Sequence, residues 1–158
     1  MTSLRLPRLA TALAAVVVAA MPFASLTAAD AAVVKPLDIV KVYFDPAGTD
    51  RPTNAGYNQE YIQVRNTGTK ALNLTGYRIV DAGPKSFAFP KNFTLAKGAT
   101  VTIRAGKGTN SKTTLYWQNK GYVWNNTGDV ARLMSPKGAQ LERCDFRNIR
   151  GLNGTKVC

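Results

Sequence analysis

Histidine is absent from this chain, acidic residues are scarce (9 Asp+Glu against 21 Lys+Arg), and there are only two cysteines. Without histidine the chain lacks the usual general base near neutral pH, the serine and cysteine catalytic pairs built on it, and the commonest zinc ligand. The serines beyond the N-terminal stretch, Ser86, Ser111 and Ser135, have no nucleophile-elbow context. Two cysteines without histidine make a poor metal set. The shortage of acids leaves a formal charge of +12 on 158 residues. That length suits one domain, and 45% hydrophobic residues make it a folding one.

The longest apolar run lies at the start. Arg5 and Arg8 precede an apolar and small-residue stretch from Leu9 to Ala20, with small residues continuing to Ala29-Asp30-Ala31. This is the layout of a secretory signal peptide over residues 1–31, too short in its apolar core for the ~20 residues of a spanning helix. The sequence therefore predicts an exported domain over residues 32–158 with no transmembrane segment after cleavage. Loss of Arg5, Arg8 and Asp30 leaves 19 basic and 8 acidic residues, a charge of +11. In an oxidising compartment Cys144 and Cys158 are expected to pair and pin the C-terminal tail.

The exported part reads as short strands and turns. Thr100 to Ala105 alternates Val101, Ile103 and Ala105 with Thr102 and Arg104, giving one buried and one wet face. Further strands are expected over Leu37 to Phe44, Glu60 to Asn66, Ala71 to Leu74, Tyr77 to Asp81, Ser86 to Phe89, Phe93 to Leu95, Thr114 to Gln118, Val130 to Met134 and Ala139 to Phe146. No dozen residues carry helical spacing without a breaker. The spacing is that of an all-β sandwich, with Trp124, Ile62, Val64, Val101, Ile103 and Leu133 as its expected core. Asp45 to Asn58 and Gly106 to Lys112 read as its longer loops.

Between Asp81 and Asp129 no acid occurs, yet Lys85, Lys91, Lys97, Arg104, Lys107, Lys112 and Lys120 do. The tail adds Arg143, Arg147, Arg150 and Lys156. A one-signed field attracts polyanions, and Arg104, Lys107, Lys112 and Lys120 are the candidate contacts. The alternative is a solvated face that keeps the protein soluble. Asp45 and Asp50 match no metal loop, so neither a metal nor another cofactor is expected. Glu60 shares a strand face with Ile62 and Val64, and with Asp81 and Asp129 it offers carboxylates for a small basic nuclease-like hydrolase, the rival reading. A strand-end acid more often accepts backbone N–H groups or pairs with an arginine such as Arg78, and no catalytic residue is assigned. Tyr116-Trp117 and Tyr122-Val123-Trp124 place four large aromatics within nine residues, able to stack on sugars or bases or to fill the core.

The ordered fragments Glu-Tyr-Ile-Gln-Val-Arg-Asn (Glu60 to Asn66), Leu-Thr-Gly-Tyr (Leu74 to Tyr77), Phe-Ala-Phe-Pro (Phe87 to Pro90), Phe-Thr-Leu-x-x-Gly-x-x-Val-Thr-Ile (Phe93 to Ile103) and Trp-Asn-Asn-x-Gly-Asp (Trp124 to Asp129) precede a final Pro-x-Gly hairpin. Together they resemble the lamin tail domain, from about Leu37 to Phe146. The resemblance implies an immunoglobulin-like sandwich without catalytic residues, serving as an interaction module. Bacterial members often accompany nucleases or other surface domains. This chain is expected to act alone, as a monomer that meets an anionic cell-surface polymer, extracellular DNA or another secreted protein.

Overall fold

The computed structural model describes residues 35–148 and 154–158. The expected leader over 1–31, its cleavage site and Arg150 lie outside the described residues.

Strand propensity and period-two alternation build two facing sheets. One has five strands in the order β11-β1-β2-β7-β8, where β1 is Leu37–Tyr43, β2 Tyr61–Asn66, β7 Thr100–Arg104, β8 Thr114–Tyr116 and β11 Thr155–Val157. The other runs β10-β9-β4-β5, with β4 Arg78–Val80, β5 Ser86–Ala88, β9 Gly128–Met134 and β10 Gln140–Arg147. A short pair, β3 Leu72–Asn73 and β6 Thr94–Leu95, stands apart, and Asn54–Tyr57 forms the single helical turn α1 among the described residues. The architecture is an immunoglobulin-like β-sandwich.

Register explains the core. Ile62 pairs with Ile103 and Val64 with Val101, so alternate residues of the five-stranded sheet enter one layer. Ile79 pairs with both Leu133 and Phe87 to form the opposing layer. Ile62, Val64, Val101, Ile103 and Leu133 are all essentially inaccessible to solvent, and Trp124 is 4% exposed. A row of rings laces the sheets together. Phe44 lies 4.6 Å from Phe146, and Trp124 stands edge-on to both Phe146 and Trp117 at 5.6 Å. Trp117 in turn packs on Phe87 at 5.6 Å. Trp117 thus belongs to the core's margin, half-buried against it.

Three features differ from the sequence expectation. The loop Asp45 to Asn58 contains α1, capped by Thr53, whose Oγ1 accepts the Gly56 N–H. Strand β8 runs parallel to β7, because the loop Gly106 to Lys112 carries the chain back along the sheet before β8 begins. The tail is itself a strand: β11 pairs with β1 through Lys41–Val157, Val42–Lys156 and Tyr43–Thr155. No alternation longer than three residues announces it.

Cys144 in β10 and Cys158 just beyond β11 are joined, with Cα atoms 5.8 Å apart. The bridge ties the edge of one sheet to the edge of the other. Replacing both cysteines by serine should lower stability by about 3 kcal/mol, the chain-entropy value for a loop of ~15 residues. Urea unfolding of the variant beside the oxidised protein checks this, and equal midpoints would contradict it.

Candidate functional site

A hydrolytic site needs carboxylates that are free and convergent. Glu60 precedes β2 and is fully buried. Its Oε2 accepts the Val123 N–H at 2.6 Å and the Trp124 N–H at 3.4 Å, while Oε1 has no hydrogen-bond partner among the described residues. Burial pushes its pKa up to about 8, against the opposing pull of those two N–H donors. Glu60 therefore anchors the segment that carries Trp124.

Asp81 and Asp129 border a polar depression of about 370 Å³ that Lys85, Val123 and Asn125 also line, and Glu60 is outside that lining. Asp81 Oδ1 accepts the Lys85 N–H at 2.9 Å, and its Oδ2 lies 3.8 Å from Lys85 Nζ. The ion-pair partner is Lys85, in place of the Arg78 considered from sequence. Asp129 Oδ1 accepts from the N–H groups of Ala82 and Val130, and Oδ2 accepts from Asn125 N–H. Each acid thus holds backbone in place, as strand-end carboxylates commonly do. Asp50 Oδ2 accepts from the Asn126 side-chain amide, and Asp45 Oδ2 from that of Asn148. Among the described residues no three His, Cys, Asp or Glu side chains gather as a metal would require.

The candidate cations fall along one sheet edge. Arg104 ends β7 on its outward face, with its guanidinium 5.9 Å from the Tyr61 ring centre and Nη1 donating to the Asn58 carbonyl at 2.5 Å. Lys107 and Lys120 are exposed at the same end of the sheet, since Gln118 and Asn119 pair with the backbone of Gly106 and Ala105. Lys112 is exposed at the opposite end of β8, beside Thr100. The four form a line flanking β8, with no compact cluster. The loop between them is shaped. Asn54 and Asn58 side chains both donate to the Lys107 carbonyl, and Asn54 Oδ1 accepts the Lys107 N–H at 2.7 Å. A Cβ at Gly108 would stand 2.3 Å from the Tyr116 ring, so glycine alone lets the loop lie on it.

Sequence reasoning missed the outward row of the five-stranded sheet. Tyr43, Tyr61, Arg104 and Tyr116 stand side by side across β1, β2, β7 and β8, because Tyr43 pairs with Tyr61, Tyr61 with Arg104 and Arg104 with Tyr116. The tyrosine rings of positions 43 and 61 are 5.4 Å apart, and Lys41 Nζ lies 5.5 Å from the Tyr61 ring centre. The period-two pattern Lys41, Tyr43 opposite buried Val42 was the available sign.

Among the described residues no helix is long and apolar enough to cross a membrane. No curated protein matches the chain. A family profile described as the lamin tail domain matches residues 30–148. Coverage of about three-quarters of the chain places this protein in the lamin tail domain family, a family of non-catalytic immunoglobulin-like interaction domains.

Proposed function

We propose that this protein is a secreted, non-enzymatic binding module that contacts anionic polymers, either cell-wall polymers or extracellular DNA, through its basic surface. The observation that carries the reading is the acid-free interval between Asp81 and Asp129, whose Lys107 and Lys120 are exposed at the Arg104 end of β8 and whose Lys112 is exposed at the other end. The charge of +11 without the first 31 residues belongs to the domain and gives long-range attraction to polyanions. The apolar N-terminal run with its small-residue ending and the Cys144–Cys158 bridge support export.

Charge reversal tests the assignment. The variant Lys107→Glu/Lys112→Glu/Lys120→Glu should bind duplex DNA and isolated cell wall at least tenfold more weakly at low salt, with an unchanged circular-dichroism spectrum. Unchanged affinity would remove these residues from the contact. The same preparations assayed for DNA hydrolysis should show none. Hydrolysis lost in an Asp81→Asn or Asp129→Asn variant would favour the carboxylate enzyme instead.

A further inference from the structure

We infer that the outward face of the five-stranded sheet is a stacking platform for single-stranded nucleic acid, with Tyr43 and Tyr61 receiving bases while Lys41 and Arg104 meet the phosphates beside them. The inference rests on the polyanion reading above and gives it a place and a ligand class.

Neighbouring strands bring outward side chains of paired residues within about 5 Å, and here that geometry sets two tyrosines together with their rings 5.4 Å apart and tilted by 56°. Both are only partly buried, on the side of the sheet away from the core. Tyr43 is held at its hydroxyl, which accepts the Ala47 N–H at 3.3 Å. Lys41 Nζ and the Arg104 guanidinium lie over the Tyr61 ring, 5.5 and 5.9 Å from its centre, so an incoming base displaces or extends a cation–π contact already made there. Arg104 is fixed by its bond to the Asn58 carbonyl, so its charge is placed and costs little ordering on binding.

Charge complementarity selects the occupant. Lys41, Arg65 and Arg104 lie at outward positions of this face, while Asp38, paired in register with Arg65, and Glu142, whose Oε2 accepts the Ile39 N–H, hold the acidic charge to the far end of β2. A neutral glycan would meet the rings but offers no charge to Lys41, Arg65 and Arg104. A duplex hides its bases from a flat face. A single strand presents both parts that the surface matches, π-faces and closely spaced phosphates, and base stacking on aromatic side chains tolerates any sequence. Gln63, Thr102 and Thr114 fill the next row and offer polar contacts without adding negative charge.

The test compares oligothymidylate with a duplex of equal length and with polygalacturonate, using the full exported domain and fluorescence anisotropy. The wild type should bind the single strand more tightly than the duplex. Tyr61→Leu, which keeps apolar bulk but removes the ring, should weaken single-strand binding roughly five- to a hundredfold and leave duplex affinity unchanged. Tyr61→Phe should restore it, because the ring and not the hydroxyl is needed. Tyr43→Leu gives a second variant should Tyr61→Leu shift the thermal midpoint. Equal losses on single strand and duplex, or no loss on either, would overturn the platform while leaving the polyanion reading standing. Losses confined to polygalacturonate would transfer the face to glycans and likewise overturn it. Absence of wild-type binding to all three polymers would sink both.

Discussion

Trp124→Ala is expected to destabilise the domain by about 3–5 kcal/mol, the largest effect of any single truncation in the core. Trp124 is 4% exposed and touches rings of both sheets, Phe146 on β10 and Trp117 just beyond β8. Its loss would open a cavity where the aromatic row crosses between the layers, and strand register limits how far either sheet can collapse into it. Two edge-on ring pairs vanish as well, each worth roughly 0.5–1.5 kcal/mol beyond the area buried. Urea unfolding followed by tryptophan fluorescence and far-ultraviolet circular dichroism measures the change. A loss under 1 kcal/mol would show that Trp124 is not the keystone described here.

Stability should also fall as pH rises from about 4.5 to about 8, and Glu60→Gln should abolish most of that fall. Burial raises the folded-state pKa of Glu60 from 4.5 to about 8. In that window the folded protein keeps a proton that the unfolded chain releases, so each pH unit upward disfavours folding by up to about 1.4 kcal/mol. The contribution is complete below about pH 4.5 and is lost as pH passes about 8. Glu142, whose carboxyl is also raised by burial, adds a slope of the same sign. Asp145 is lowered by its bond to Arg143 and acts in the opposite sense only as pH falls through the acid range. The absence of histidine keeps the window clear of the side chain that ordinarily titrates there. Chemical denaturation at pH 5, 6, 7 and 8 supplies the test. A flat profile in the wild type, or an equal slope in Glu60→Gln, would contradict the buried, protonated carboxyl.

Legibility in the sequence followed local physics. Thr100, Val101, Thr102, Ile103 and Arg104 announce a strand with one wet face because a period of two is unmistakable over five residues, and β7 occupies Thr100–Arg104. The pairing of Cys144 with Cys158 is readable from the expected compartment and the cysteine count. What stayed hidden depends on register. Neither Tyr43 nor Tyr61 stands out alone, and their adjacency arises only when β1 lies antiparallel to β2 with a bulge between Ile39 and Lys41. The partner of Asp81 was hidden for the same reason. Arg78, on β4, belongs to a ladder that pairs it with Ala88 and Met134, whereas Lys85 closes the turn back onto Asp81. Strand β11 is too short to declare itself and is defined by the edge of β1 and by the disulfide.

The central claim, that the basic domain binds anionic polymers by neutralising their charge, meets its most direct test in a salt titration. The equilibrium constant of the wild-type domain over residues 32–158 for duplex DNA, measured from 25 to 250 mM NaCl in roughly even logarithmic steps, should give a straight line of log affinity against log salt. Its slope should be about −0.9 for each phosphate contacted, so three or four contacts place it near −3. Isolated cell wall should release the protein over the same salt range. A slope near zero, or no measurable binding at the lowest salt, would contradict the account.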